Sequence, residues 1–271
     1  MLFRSVFDLL DYEGDKTYSY ITFSLANQIF TPTNTSTTSL IADDRPYAGW
    51  TYFETAIHKT TRTYLRSLSL KVGAVGPASG TQHIQNKFHE FIDSDRVNGW
   101  GNQLHNELGL NLKYTQKWIY FIRNSSDLEA SISPFLSAEL GNIAINASAG
   151  VMARIGFNIP KDYGVSSIDI GADPGIPVYG EYENMRAKPW SFSFNLIAKG
   201  SAIARDMFLD GNTFSNSHSV NIKHFVANYG TGFTLRYKNV VVDMMVVETT
   251  KQFDLQKETH GIGTMTLSLL F

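Results

Sequence analysis

The feature that most limits what this chain can fold into is an alternation of apolar and polar residues held over unusually long runs. In "TYLRSLSLKVGAVG" (63–76), Tyr64, Leu68, Leu70, Val72 and Ala74 fall on one face, with Ser67, Ser69 and Lys71 between them. "QLHNELGLNLKY" (103–114) sets Leu104, Leu108, Leu110, Leu112 and Tyr114 against His105, Glu107, Asn111 and Lys113. "AINASAGVMARIGFN" (144–158) places Ile145 and every second residue to Phe157 opposite Asn146, Ser148, Gly150, Arg154 and Gly156. The same pattern runs through Trp190, Phe192, Phe194 and Leu196, and through Phe225, Ala227, Tyr229, Phe233, Leu235 and Tyr237. A repeat of two is the strand repeat, because successive side chains leave opposite faces of a sheet. Strands of globular domains run about 5–6 residues, whereas a strand that spans a bilayer needs about 9–11. The runs here last about ten to fourteen residues, so their length favours an all-β, transmembrane antiparallel β-barrel over a soluble lipocalin-like barrel.

About ten such segments follow one another, divided by turn clusters such as "RNSSD", "LDGN" and "YKN". One connection, residues 158–188, is long and rich in Gly, Pro and acidic residues. Short turns at one end and long loops at the other is the arrangement expected of an outer-membrane barrel. No linker or composition shift divides the chain, so residues 1–271 read as a single barrel domain. The closing "TMTLSLLF" alternates Met265, Leu267 and Leu269 with Thr264, Thr266 and Ser268 and ends on an aromatic, Phe271, as the last strand of a Gram-negative outer-membrane protein does.

Composition alone leaves soluble and membrane classes open. A mean hydropathy of −0.15 suits either, because barrel strands turn polar residues inward and apolar ones outward, and the average cancels. A net charge of −2 with no basic stripe argues against nucleic acid as a partner. Without cysteine there is neither a thiolate metal site nor a cysteine nucleophile. No run of about eighteen apolar residues is present to form a membrane-spanning helix. The opening "MLFRSVFDLLDYEGDK" lacks the layout of a secretory signal. Lys71, Glu107, Lys113, Arg154, Lys199 and Arg236 lie on the polar faces, where only a packed or wet interior accommodates them.

The alternation breaks at "GPASGTQHIQNKFHEFI" (76–92). A turn rich in Gly and Pro leads into helical spacing over 82–92, with Gln82, Gln85, Asn86 and His89 on one face and Ile84, Phe88, Phe91 and Ile92 on another. The apolar face suits a barrel rim or lipid headgroups. A histidine beside amides can act as a general base while the amides hold a carbonyl or orient water. A lone histidine on a helix is more often a solvated surface residue, so this signal is weak by itself. There is no G-x-S-x-G elbow, no H-E-x-x-H and no phosphate loop. Ser79 and Ser94 read as turn residues, and Asp93 and Asp95 as weak candidate metal ligands. His83 reads as a surface residue, His58, His105 and His224 as interior fillers of strands, and His218 and His260 as loop residues.

Three blocks then carry a resemblance: "NQIFTP" (27–32), "DDRPYAGWTYFE" (43–54) and "VGPASGTQHIQNKFHEFI" through "GWGNQLHNE" (75–107). In order and spacing the chain resembles the outer-membrane lipid A 3′-O-deacylase family over nearly its whole length. The resemblance implies a twelve-stranded barrel in the bacterial outer membrane, the helix at its extracellular rim. It also implies a calcium-dependent esterase that removes an ester-linked acyl chain from lipid A of lipopolysaccharide, with histidine-activated water as nucleophile. His89 matches the base and Gln85 the site-ordering amide one turn earlier. Gln82, Asp44 and Arg45 are substrate-binding or rim-structural candidates, and for Asp44 and Arg45 the structural role is favoured. The partner expected is lipid A and the chain is expected to be monomeric. The family's Asn-Asp pair and Tyr-Thr-Asn-Gly-like strand have no counterpart before "NQIFTP", so a first strand is expected to be missing. A seam is then expected between 262–271 and 18–30. The competing readings are a catalytically inactive structural or lipid-binding barrel and a passive porin.

Overall fold

The computed structural model of the chain describes residues 16–123, 128–164, 175–180 and 189–269. Its strands are β1 (Tyr18–Phe30), β2 (Ala48–Thr60), β3 (Tyr64–Val75), β4 (Glu107–Trp118), β5 (Tyr120–Arg123), β6 (Leu128–Gly141), β7 (Ala144–Phe157), β8 (Trp190–Asp206), β9 (Phe225–Tyr237), β10 (Val240–Thr249) and β11 (His260–Leu269). Among the described residues two α-helices interrupt them, α1 (Thr81–Phe91) and the single turn α2 (Met207–Asp210). All the strands belong to one sheet, ordered β1-β2-β3-β4-β6-β7-β8-β9-β10-β11, with β5 pairing β6. β5 follows β4 along the same neighbour, so the path counts ten staves. Every ladder is antiparallel between successive staves. This up-and-down order is what short turns between long alternating runs produce.

The faces fall as the alternation requires. Phe192, Phe194 and Leu196 point outward and exposed, while Ser191, Ser193 and Asn195 between them are buried. Lys71, Lys113, Arg154 and Arg236 lie inside, each less than 10% exposed. A soluble sandwich reverses this order, so the sheet is one whose apolar face meets lipid. Outward aromatics gather toward one end, where Trp190 sits over Tyr237 at 4.3 Å and Tyr120 and Phe157 are exposed, in the manner of an interfacial girdle. No helix among the described residues is long and apolar enough to cross a membrane. The strands fill that role.

The sheet curls until its early and late strands meet through its interior. Phe30 of β1 stacks on Phe208 of α2 at 4.1 Å, and Trp50, Tyr52, Val75, Leu104, Ile143 and Met207 pack with Phe208 into the core at the α1 end. Among the described residues β1 and β11 stay at the two ends of the path, and no ladder joins them. Over the described residues, 18–30 and 262–269, this agrees with the expected seam. Leu270 and Phe271, and with them the terminal aromatic, lie outside the described residues. So do residues 1–15, on which the expectations about the N-terminus rest.

The structure corrects several expectations. The long β7–β8 connection lies not with the other long loops but at the end of the short turns. There Tyr163 is fully buried with Leu65, Ile119, Ile176 and Val178, and both the Tyr163 hydroxyl and the Tyr179 amide donate to the carbonyl of Thr61 in the β2–β3 turn (3.2 and 2.9 Å). Leu104 and His105 precede β4 rather than belonging to it. Leu104 is buried in the α1-end core, and His105 is a loop residue beside Ser215. His224 likewise sits just before β9, its Nδ1 hydrogen-bonded to the Ile203 carbonyl at 2.8 Å. His58 alone is the interior strand filler expected, held between Thr22 and Ser67 at 2.9 and 2.7 Å.

Candidate active site at the barrel rim

Helix α1 begins within a residue of the spacing that predicts it. A 3-10 turn, Pro77–Ser79, leads into Gly80, whose φ of +69° is left-handed backbone that a side chain would strain. From there the chain folds back over the outside of the wall. In the β1–β2 ladder Ile29 pairs with Gly49, Asn27 with Thr51, and Leu25 with Phe53; Leu25, Ile29 and Phe53 are exposed apolar residues of the outer face. Asn27, Gly49 and Thr51 therefore belong to the outer face as well, and it is against them that the helix start is fixed.

The fastening is a cluster of hydroxyls. Asn27 Nδ2 donates to Thr51 Oγ1 and Thr81 Oγ1, both at 2.6 Å. Thr51 Oγ1 donates to the Ser79 carbonyl at 2.7 Å, and Ser79 Oγ reaches the Gly76 carbonyl and Thr81 Oγ1 at 2.6 and 2.9 Å. Ser79 is thus a buried anchor and not the loose turn residue its context suggests. A Cβ on Gly49 would stand 2.3 Å from Thr81 Cβ, so glycine is what lets the helix start touch the wall. Gly49→Val is expected to lift α1, and limited proteolysis should then cut within 76–106 in the variant while sparing the parent.

On the helix the partly buried residues are Gln85, Asn86 and His89, and Gln85 and His89 face the segment that follows the helix. Trp100 Nε1 donates to Gln85 Oε1 at 3.0 Å. Trp100 is itself fixed, buried against Tyr47 and Val97. With its oxygen engaged, Gln85 is left to present its amide N–H groups. His89 Nδ1 lies 2.6 Å from the Asp95 carbonyl. A carbonyl only accepts, so Nδ1 carries the proton and the lone pair of the neutral imidazole is on Nε2. One turn of helix thus offers a hydrogen-bond donor and a proton acceptor side by side.

The other candidates are placed as follows. Gln82 and His83 are both exposed on the first turn. Asp93, with φ of +53°, and Asp95 are both exposed after the helix. Calcium takes six to eight oxygens, and among the described residues no three of His, Asp and Glu come together. The described residues do not by themselves build a calcium site. Asp44 and Arg45 brace loops. Asp44 carboxylate oxygens accept from the Thr33 and Arg45 amides, each at 2.7 Å, and its carbonyl bonds His218 at 2.8 Å. Arg45 is buried, with Nη2 on Gln252 Oε1 at 2.6 Å and its guanidinium 5.8 Å from the Phe30 ring centroid. Burial pulls its pKa down, while Asp206 and Asp44 oppose the shift.

Sequence reasoning missed Trp100 and Asn27. The signal for Asn27 was present, since an amide in an otherwise apolar outward row needs a partner. For Trp100 there was none, because it meets Gln85 across a loop with no fixed spacing.

A sheet of long strands, apolar outside and polar inside, with an amide–histidine helix fastened to its outer wall, defines an outer-membrane barrel. The chain belongs to the outer membrane protein LpxR family, whose sequence pattern matches residues 2–271. Its fold is that of LpxR from Salmonella typhimurium, with a TM-score of 0.77 and 18% identity, over 94% of this chain and 87% of that one. No curated protein sequence matches it.

Proposed function

We propose that the chain is an esterase of the lipid A deacylase type, cleaving an ester-linked acyl chain of lipid A with water activated by His89. The observation that supports this most directly is the fixed tautomer of His89, with Nδ1 on the Asp95 carbonyl at 2.6 Å. Nε2 takes a proton from water as the water oxygen attacks the ester carbonyl. The Gln85 amide donates to the developing oxyanion. When the tetrahedral intermediate collapses, the C–O bond to the sugar breaks and the alkoxide recovers the proton from Nε2, releasing a fatty acid and a sugar hydroxyl. Calcium enters this reading only through the family resemblance, and none of these steps is routed through it. Mass spectrometry of lipid A incubated with the reconstituted barrel tests the proposal. Loss of one acyl chain with release of the free acid is expected, and unchanged lipid A would overturn it.

A second reading, an inactive lipid-binding barrel, draws on Asp93 and Asp95, two exposed carboxylates that join no group of three His, Asp or Glu among the described residues. The porin reading is opposed by the filling of both ends. Trp50, Tyr52 and Phe208 occupy the α1 end, and Tyr163, Ile176 and Val178 the other. In a planar bilayer the protein is expected to show no stable conductance steps; open-channel currents of porin size would contradict this.

A further inference from the structure

We infer that the apolar face of α1 is seated among the acyl chains of the membrane leaflet, so that the helix is a lipid-embedded element of the outer wall and not a water-side lid. Two observations place it there. The first is the face of the wall to which it is fixed. Thr81 and Ser79 rest on Asn27, Gly49 and Thr51, which stand in the same outward rows as Ile29, Leu25 and Phe53. The pair Leu25 and Phe53 follows the pair Asn27 and Thr51 two residues along the strands, about 7 Å away. The attachment is therefore continuous with the lipid-facing belt. The second is the helix's own division into three faces. Gln85, Asn86 and His89 are partly buried, Gln85 against Trp100 and His89 against the Asp95 carbonyl. His83, Lys87 and Glu90 form an exposed polar edge, Lys87 pairing with Glu90 at 2.9 Å. Between these lie Ile84, Phe88, Phe91 and Ile92, exposed by 46, 58, 86 and 50%. An apolar stripe beside a charged edge is the pattern of a helix lying in the plane of a membrane interface, with the stripe in the acyl region and the charges among headgroups.

The occupant is the acyl region of the bilayer. Nothing in this inference needs the chain to be an esterase; it needs only the barrel to lie in a membrane. If both hold, the Gln85–His89 face sits at the boundary between headgroups and chains, the depth at which ester carbonyls of membrane lipids lie.

The absence of native cysteine makes the test direct. Single variants Phe88→Cys, Phe91→Cys, Glu90→Cys and, on the wall, Leu25→Cys are spin-labelled and reconstituted in phosphatidylcholine–phosphatidylglycerol vesicles. Collision rates are then measured with oxygen, which partitions into lipid, and with a polar nickel chelate, which does not. The oxygen-to-nickel ratio at 88 and 91 is expected to match that at 25 and to exceed that at 90 by about tenfold. Ratios at 88 and 91 equal to that at 90, with 25 in lipid, would overturn the embedded helix alone. If the label at 25 were also nickel-accessible, the membrane placement of the wall and of the helix would fall together. Neither readout depends on turnover, so failure of the esterase reading remains a separate result.

Discussion

His89→Ala is expected to reduce release of fatty acid from lipid A by about a hundred- to ten-thousand-fold, the range a positioned general base contributes. The loss should appear in kcat and not in KM, because Nε2 acts on water in the transition state and is not needed to seat the substrate. Structural damage should be slight. His89 is only partly buried and its Nδ1 is held by the Asp95 carbonyl of the adjoining loop, so heat-modified mobility and sheet content should match the parent. A smaller kcat effect is expected of Gln85→Ala, whose amide contributes one hydrogen bond to the oxyanion. Were acyl release by His89→Ala equal to that of the parent, His89 would not be the base.

Strand by strand, the sheet was legible because side-chain alternation is dictated locally by burial, and burial here is set by lipid outside and polar filling inside. The helix was legible for the same reason in reverse: Gln85 and His89 share a face only at helical spacing. What periodicity reports is which residues share a face, not where the chain goes between elements. Leu104 has the right parity for the outer row of β4, yet it enters the core because the 3-10 turn at Gly99–Asn102 brings the chain back over the rim first. The position of the 158–188 connection was recoverable by counting reversals. Three staves, β4 with β5, β6 and β7, separate it from the α1 loop, and an odd number of crossings ends on the opposite side. The candidate site was legible only in its helical half. Asn27, Thr51 and Trp100 reach α1 through tertiary contact, and such contacts leave no spacing to read.

The second large effect is expected at the far end of the barrel. Asp162→Ala should lower the stability of the folded barrel by about 3–5 kcal/mol, measured by urea unfolding in vesicles. Asp162 Oδ1 holds Arg154 Nη1 at 2.6 Å, with side chains only 9% and 4% exposed. Arg154 also donates to the Asp162 carbonyl and to Ser131 Oγ, at 2.9 and 3.0 Å. The same carboxylate accepts from the Gly164 amide at 3.0 Å. Removing the carboxylate leaves a guanidinium charge in a nearly dry interior and frees the strap that packs Tyr163 beneath the short turns. The cost comes from the stranded charge more than from the lost attraction, because bringing two ions together in a low dielectric scarcely repays their desolvation. The double variant Arg154→Met with Asp162→Leu separates the two causes. If the stranded charge dominates, the double variant should recover most of the loss, since packed apolar side chains replace a buried pair at little cost. If it is as unstable as the single variant, the hydrogen bonds from Asp162 to the strap are what hold this end closed. Either way the helix end should be spared: Gln85 and His89 lie at the opposite rim, so acyl release by the refolded variant at low temperature should match the parent.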